Sequence, residues 1–301
     1  MSDSNVINIV FAVNNVYVKF LSVTLISLIK NTDKYIRCFI LENEHELDNT
    51  NKDKLEALKK IKDFAIEYIK IDTNNFSYFK RAAKHISMEA NFRLLIASLL
   101  PESVEKCIYL DSDLITIDDI DKLWSQDLSN DYIGAVLTPP VGFNSGVLLI
   151  NIKKWREDNI EKQFFVYAEK NMDKLRSVDQ ELINHVCGKK IKSLPLSFNY
   201  NPKFPERAKV QIKTPVIVHW AGTQKPWINR ELFGSVEFWS YARESPFYNE
   251  IKDPKIYLFK KNIILSLKFF GYCLLNFITL NKVTTLKKEF YKYRLIMSLP
   301  E

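Results

Sequence analysis

The chain has 301 residues, of which 47% are hydrophobic and 26% charged, a composition that indicates a soluble globular protein with a full core. Seven glycines and eleven prolines are few for this length, which argues against long flexible linkers. The net charge is +7, but residues 251–301 contain ten basic and three acidic residues, so residues 1–250 are neutral. A neutral body argues against the basic groove of a nucleic-acid enzyme. We therefore expect a main domain over residues 1–250 and a basic tail over residues 251–301.

Strands and helices alternate along the main domain. Runs of β-branched and other apolar residues predict strands, and apolar residues at three- and four-residue steps predict helices. In chain order we expect strand 6–13, helix 18–29, strand 36–41, helix 47–61, strand 64–71, a polar loop at 74–79, helix 88–100, strand 107–110, helix 118–124, strands 132–137 and 147–150, helices 151–156, 164–168 and 179–183, and strand 216–218. This alternation predicts parallel pairing and a Rossmann-like α/β fold.

The cysteines and the N-terminus both bear on the location of the protein. The four cysteines have no metal-ligand spacing, and three of them lie in apolar runs, which predicts buried, reduced thiols. The first residues lack a basic segment followed by a signal-type apolar core. Both features favour a cytoplasmic protein.

The basic tail contains a mostly apolar stretch at residues 263–280, which Lys268 and Asn276 interrupt. A membrane-spanning helix needs about twenty apolar residues with few charges, so this stretch is a poor span. It is more typical of a helix that lies in the interface of an anionic membrane. A C-terminal helix that packs on the main domain is the alternative.

Two carboxylates, Asp111 and Asp113, follow the predicted strand 107–110 directly. The carboxyl ends of strands in open α/β sheets are where such folds bind ligands. The two side chains can converge on one hard cation that keeps open positions for phosphate oxygens. The alternative is an aspartate-rich loop that caps the helix predicted at residues 118–124.

A second stretch of interest begins at His219, which ends the last predicted strand. Its imidazole can bind a metal, although a histidine at this place can also be a purely structural edge residue. Gly222 allows a ligand to approach the backbone closely, and Lys225 supplies a point charge for a phosphate. Together with Asp111 and Asp113, His219 would form a site for manganese or magnesium with a bound diphosphate.

Five short motifs, taken in order, resemble the family 8 glycosyltransferases, which are retaining enzymes of the GT-A fold that use nucleotide sugars. The motifs are IVFA at 9–12, YLDSD at 109–113, FNSGVLLIN at 143–151 with Trp155, Asp179-Gln180, and HWAGTQKPW at 219–227. The resemblance implies a GT-A fold with a mixed, mainly parallel sheet. It also implies a UDP-sugar donor, a Mn²⁺ or Mg²⁺ cofactor, and a glycan or glycolipid acceptor such as lipopolysaccharide. A lipid-linked acceptor would suit an enzyme held on the inner face of the cytoplasmic membrane by its tail.

The resemblance assigns roles to individual residues. The metal ligands fall on Asp111, Asp113 and His219, and the uracil contacts on Ala12, Asn14 and Tyr17. A contact to the donor sugar or its diphosphate falls on Arg93, donor-sugar contacts fall on Asn144 and Ser145, and Ser112 is a further donor-binding position. The diphosphate clamp falls on Gly222 and Lys225, the residues beside the anomeric carbon are Asp179 and Gln180, and an acceptor-side position falls on His85. The family often has aspartate where this chain has Asn14. Residues 135–143 are few and lack an acid, unlike the longer loop of related galactosyltransferases, so the donor sugar cannot be carried over.

The residues beside the anomeric carbon bear on the mechanism. Double displacement needs a carboxylate nucleophile, but Gln180 is a poor nucleophile and Asp179 is placed to cap its helix. The family therefore implies a front-face substitution in which the departing phosphate takes the acceptor proton.

Two other functions remain alternatives. The aspartate pair also resembles the nucleophile strand of haloacid-dehalogenase-like phosphatases, although that fold usually places the pair after its first strand. A non-catalytic scaffold on a membrane surface would account for the basic tail, but it would not require Asp111, Asp113, His219 and Lys225.

Overall fold

The computed structural model describes residues 5–43, 47–72, 88–171, 174–175, 177–203 and 214–254. By its internal contacts the chain divides into two units, Met1–Ile251 and Lys252–Glu301, and the elements given below all lie in the first. The predicted loop 74–79, His85 and the apolar tail segment 263–280 lie outside the described residues. No helix within the described ranges is long and apolar enough to cross a membrane.

A seven-stranded sheet forms the centre of the first unit, and two further strands form a separate two-stranded sheet. The strands are β1 (Val6–Ala12), β2 (Tyr35–Asn43), β3 (Ala65–Ile71), β4 (Lys106–Leu110), β5 (Leu114–Thr116), β6 (Ile133–Leu137), β7 (Phe143–Asn151), β8 (Ile191–Ser193) and β9 (Ile217–His219). The order in the large sheet is β3-β2-β1-β4-β7-β6-β8, and β5 pairs with β9.

The orientation of these strands determines where a ligand can bind. β3, β2, β1 and β4 are parallel, whereas β7 runs antiparallel to both of its neighbours and β8 is parallel to β6. The carboxyl ends of β1 and β4 therefore meet the beginning of β7 at one edge of the sheet. This edge, called the binding edge, holds the residues that follow β1, the aspartate pair and the Asn144-Ser145 segment.

Helices cover the sheet. They are α1 (Val18–Lys30), α2 (Asn49–Glu56), α3 (Ile96–Leu99), α4 (Asp121–Trp124), α5 (Ile152–Glu157), α6 (Ile160–Asn171), α7 (Val178–Cys187) and α8 (Ser235–Glu244), with 3₁₀ turns at Ala57–Lys60, Met88–Leu95, Gly188–Lys190, Leu196–Phe198 and Tyr248–Glu250. Nearly every side chain of α1 is buried, and the helix packs against β5 and α8.

Most elements predicted from the sequence occur close to their expected bounds. The helix predicted at 47–61 ends in a 3₁₀ turn, and the one predicted at 88–100 is largely 3₁₀ helix. Asn151 caps α5, because its side chain accepts a hydrogen bond from the backbone N–H of Lys154. The short strands β5 and β8 and the helix α8 were not predicted.

The predicted thiols are confirmed for the described cysteines. Cys38, Cys107 and Cys187 are free and buried. Burial raises the pKa of all three thiols, for Cys187 to about 12. These groups therefore stay protonated and behave as small apolar side chains.

Candidate active site

The aspartate pair lies in the short connection between β4 and β5, at the binding edge of the sheet. The backbone N–H of Asp111 donates to the carbonyl of Gly146 on β7 at 2.8 Å. The hydroxyl of Thr24, on the buried helix α1, donates to the carbonyls of Ser112 and Leu114 at 3.1 and 2.7 Å. Two neighbouring elements thus hold the backbone that presents the carboxylates. Neither carboxylate caps α4, where Asp119 accepts from the N–H of Asp121 at 2.9 Å.

His219 reaches the aspartates because β9 pairs antiparallel with β5, which places His219 opposite Leu114. Its Nε2 atom lies 3.7 Å from Oδ2 of Asp111 and 3.2 Å from Oδ1 of Asp113. One ligand atom from each of the three side chains lies within 4.8 Å of the others. The structure therefore brings together the three residues to which the resemblance assigns metal binding.

The environment of His219 fits a bound cation. The side chain is buried, and its Nε2 atom has no hydrogen-bond partner among the described residues. Its Nδ1 atom donates to Oδ1 of Asn199 at 2.9 Å, which leaves Nε2 directed at the two aspartates. Two carboxylates and one imidazole form a donor set that suits Mn²⁺ or Mg²⁺. A cation here would satisfy the otherwise orphaned nitrogen.

Gly146 provides the space for this cluster. A Cβ atom at this position would come within 2.5 Å of Oδ2 of Asp111 and closer still to Cε1 of His219. Both neighbours are side chains of the cluster, so a larger residue would displace them. The glycine of the FNSG motif is therefore required by the packing of the site.

Positive charge surrounds Asp113. Nζ of Lys225 donates to Oδ2 of Asp113, and it also donates to the carbonyl of Trp220 at 2.7 Å. Burial by itself raises the pKa of Asp113, but His219 and Lys225 lower it by more, so the pKa lies below its usual range. Asp113 is therefore ionised at neutral pH, as a ligand of a hard cation must be.

Arg93 joins the aspartate pair to the beginning of α7. Its Nη2 atom donates to Oδ1 of Asp111 at 2.9 Å, and its Nε atom lies 3.2 Å from Oδ2 of Asp179. Its Nη1 atom donates to the carbonyl of Ser145 at 2.6 Å. Burial lowers the pKa of Arg93, but Asp111, Tyr109 and Asp179 raise it by more. A buried, permanently charged guanidinium thus fixes two carboxylates at the floor of the site.

The prediction that Asp179 caps its helix is wrong. Ser177 is the N-cap residue of α7, and Asp179 lies inside the first turn. The carboxylate of Asp179 instead accepts a hydrogen bond from the hydroxyl of Ser145 at 2.8 Å and pairs with Arg93. This tertiary arrangement replaces the local one because a buried cation stabilises a carboxylate more than a terminal N–H does.

Asn144 and Gln180 lie together, and a residue that the sequence did not indicate supports them. Nδ2 of Asn144 donates to Oε1 of Gln180 at 3.3 Å. Oδ1 of Asn144 accepts from Nδ2 of Asn199 at 2.8 Å, while Oδ1 of Asn199 contacts His219. Asn199 therefore links the cation-binding cluster to Asn144. Its sequence context, a single asparagine after a short apolar turn, contains no signal of this role.

A cleft of about 420 Å³ extends along the binding edge of the sheet. Its lining consists of Ala12, Val13, Asn14, Tyr17, Glu89, Ala90, Arg93, Tyr109, Asp111, Ser112 and Asp113. The residues assigned to uracil thus share one cleft with the aspartate pair. Six other residues assigned to the site lie outside this lining and connect to it through the hydrogen bonds and ion pairs given above. They are Asn144, Ser145, Asp179, Gln180, His219 and Lys225. Gly222 is also outside the lining and has a φ of +92°, a left-handed conformation that favours glycine.

Comparison with known proteins places this geometry in a family. The family model "Glycosyl transferase family 8" matches residues 8–231. A provisionally named glycosyltransferase of Haemophilus influenzae is 28% identical over 246 residues, which cover 74% of each chain. General stress protein A of Bacillus subtilis is 26% identical over 264 residues, covering 75% of this chain and 89% of the relative.

The solved structures agree on the fold. A crystal structure of the galactosyltransferase LgtC with donor and acceptor sugar analogues has a TM-score of 0.73 at 24% identity, covering 80% of this chain and 96% of that one. The glycosyltransferase GlyE of Streptococcus pneumoniae has a TM-score of 0.62 at 23% identity, covering 78% and 59%. The fold is GT-A, and a haloacid-dehalogenase-like phosphatase is not supported. The chain belongs to glycosyl transferase family 8.

Proposed function

We propose that this glycosyltransferase transfers a hexose from a UDP-sugar to a glycan acceptor, retains the anomeric configuration and uses Mn²⁺ or Mg²⁺. The observation that carries the proposal is the cluster of Asp111, Asp113 and His219 beside a cleft that also contains the residues assigned to uracil. Base and diphosphate can then occupy one continuous binding edge.

The nucleoside would lie at the end of the cleft that contains Ala12, Asn14 and Tyr17. Tyr17 is 40% exposed and lines the cleft, and its aromatic ring can stack on a base there. The backbone of Ala12 and the side-chain amide of Asn14 can fix the edge of that base. This placement orients the diphosphate toward Asp111 and Asp113.

The chemistry requires compensation of charge on the leaving diphosphate. A divalent cation held by Asp111, Asp113 and His219 would supply Lewis-acid stabilisation of that charge. Lys225 contributes a second positive charge beside Asp113, within a buried site where charges interact strongly. Arg93 keeps Asp111 oriented, because it donates to the oxygen that does not face His219.

Retention of configuration is proposed to occur by front-face substitution. The carboxylate of Asp179 is engaged by Arg93 and by the hydroxyl of Ser145, which makes it a poor nucleophile. Gln180 holds an amide beside Asn144 and can position substrates by hydrogen bonds. We therefore expect Gln180→Ala to slow transfer without abolishing it. NMR of the first-formed product reports its anomeric configuration, and an inverted product would contradict the mechanism.

The proposed acceptor is lipopolysaccharide or another surface glycan, reached on the inner face of the cytoplasmic membrane. The support for this part is the composition of residues 251–301, which carry the whole positive excess of the chain. Basic residues near an anionic membrane surface contribute about 1 kcal/mol each. The full-length protein should bind anionic vesicles at low salt and release them as salt rises. Absence of binding at low salt would contradict a membrane location.

The direct test of the proposed function is a donor panel. Thermal-shift measurements with UDP-glucose, UDP-galactose and UDP-N-acetylglucosamine, each with Mn²⁺, should show stabilisation by at least one donor. Release of UDP from that donor should require the cation and should stop in excess chelator. Binding without release of UDP, even with candidate acceptors present, would favour a non-catalytic scaffold. Hydrolysis of a generic phosphate ester without UDP release would favour a phosphatase.

A further inference from the structure

A buried carboxylate that the sequence did not indicate lies at the nucleoside end of the cleft. Glu89 belongs to the 3₁₀ helix Met88–Leu95 and is only 5% exposed, yet it lines the cleft together with Ala12, Asn14 and Tyr17. Carboxylates are rarely buried this far unless a partner or a ligand requires them. The position of Glu89 therefore calls for an explanation in terms of what the cleft binds.

The hydrogen bonds of Asn14 show what Glu89 can add. Oδ1 of Asn14 accepts from the backbone N–H groups of Val16 and Tyr17, both at 3.1 Å. These two bonds use the lone pairs of that oxygen. Nδ2 of Asn14 donates to Oε2 of Glu89 at 3.3 Å. Asn14 therefore has only a donor to offer a base, and any acceptor must come from another residue.

Glu89 supplies such an acceptor. An ionised carboxylate has about four lone-pair sites, of which Asn14 uses one. Among the described residues, Asn14 is the sole hydrogen-bond partner of Glu89. The pair thus presents a donor and an acceptor side by side to whatever base enters the cleft.

The pattern matches the edge of uracil, on which an N3–H donor lies between two carbonyl oxygens. Resting on the proposed function, we infer that Glu89 accepts the N3–H of uracil and thereby selects uridine over cytidine nucleotides, while Asn14 donates to a neighbouring carbonyl. Cytosine presents a lone pair at N3, which a carboxylate repels. A site built to bond one hydrogen rejects the analogue that lacks it, because its own polar groups are then left unpaired.

Glu89→Gln separates this role from a purely structural one. Glutamine retains an oxygen that can accept from Asn14, but it replaces the second carboxylate oxygen with an NH₂ donor. That donor opposes the N3–H of uracil and suits the N3 lone pair of cytosine. A residue that only supports Asn14 would therefore tolerate the change without altering base selectivity.

The experiment compares the dissociation constants of UDP and CDP, each with Mn²⁺, by calorimetry on the full-length protein. Native protein should prefer UDP, and Glu89→Gln should lower the preference roughly tenfold, the effect expected for one charge-assisted hydrogen bond. Glu67→Gln makes the same chemical change on β3, where Glu67 pairs with Arg37 outside the cleft lining, and should leave the preference unchanged.

A second measurement uses native protein alone, in case the variant does not fold. UDP methylated at N3 should bind roughly tenfold more weakly than UDP methylated at C5, since only the first lacks the hydrogen. An unchanged UDP preference in a folded Glu89→Gln protein, or equal binding of the two methylated nucleotides, would overturn the inference alone. Failure of native protein to bind UDP would overturn the proposed function and the inference together.

Discussion

The imidazole of His219 and the side-chain amide of Asn199 meet at 2.9 Å, and the same amide donates to Asn144 at 2.8 Å. One side chain thus orients both the buried histidine of the cation-binding cluster and a residue assigned to the donor sugar. Partners of this kind fix the tautomer of a metal-binding histidine, and their loss typically lowers metal affinity about 10- to 100-fold.

Asn199→Ala should therefore weaken binding of Mn²⁺ by about 10- to 100-fold, measured by calorimetry in the presence of UDP. Asn199→Asp is the matched comparison, because it keeps an acceptor for His219 and loses the donor to Asn144. It should retain most of the metal affinity while the Michaelis constant for the donor rises. Equal metal affinity in native protein and Asn199→Ala would show that His219 needs no such support.

Asp113→Asn should abolish sugar transfer while leaving the fold intact. The amide cannot replace a carboxylate that accepts from Lys225 and faces His219. Circular dichroism would confirm folding, and UDP release would report activity. Asp118→Asn, on a carboxylate that pairs with Lys122 at the surface, is the control and should remain active. Undiminished transfer by Asp113→Asn would contradict the metal assignment.

Acid should remove the contribution of Asp113 to stability. His219 and Lys225 outweigh the effect of burial and lower the pKa of this carboxyl in the folded protein. A lowered pKa stabilises the fold fully above the unfolded value, about 3.9, and the stabilisation is lost as pH falls through the folded pKa. In the presence of chelator, the difference in unfolding free energy between native protein and Asp113→Asn should thus be constant above about pH 5 and should shrink as the pH falls below about 3.9. Denaturant titrations at several pH values would measure it, and a constant difference would contradict the shift.

Gly146→Ala should disrupt the cation site without unfolding the sheet. The added methyl group would overlap His219 and Asp111, whose side chains must then separate. Gly188→Ala is a suitable control, because Gly188 has a φ of +48° but no atom within 4 Å of the place that an added methyl group would occupy. We expect Gly188→Ala to lose roughly 1 kcal/mol of stability with normal Mn²⁺ binding. Normal Mn²⁺ binding by Gly146→Ala would contradict the packing argument.

Lys225→Ala should lower turnover more than it raises the Michaelis constant for the donor. Charge on the diphosphate grows toward the transition state, so a lysine beside it contributes more there than in the bound ground state. Steady-state kinetics with a UDP-sugar would separate the two parameters. Lys30→Ala removes an exposed pair with Glu244 and should change neither. A change confined to the Michaelis constant would contradict this role, because Lys225 would then stabilise the bound donor and the transition state equally.

The elements that the sequence predicted well are those whose patterns are local. β-branched runs identified β1 and β2, and the order of strands and helices indicated the parallel pairing of β3, β2, β1 and β4, with Asp111 and Asp113 at their carboxyl ends. The same order did not indicate that β7 runs antiparallel to β4 and β6. β5 and β8 are three residues long and exist only because distant strands pair with them, so no window of sequence contains their signal. The 3₁₀ helix Met88–Leu95 has an apolar spacing that an α-helix would share.

The same division applies to the site. The types and order of residues determined that two carboxylates and a histidine would be available, because those motifs are contiguous. Tertiary structure alone decided that Asp179 pairs with Arg93 rather than capping α7, since the energy of a buried ion pair depends on residues far apart in sequence. It also placed Asn199 against His219 and Glu89 against Asn14, contacts between segments 20 and 75 residues apart. Hydrogen bonds between such segments depend on how the strands pair, and single residues carry no local pattern that reveals them.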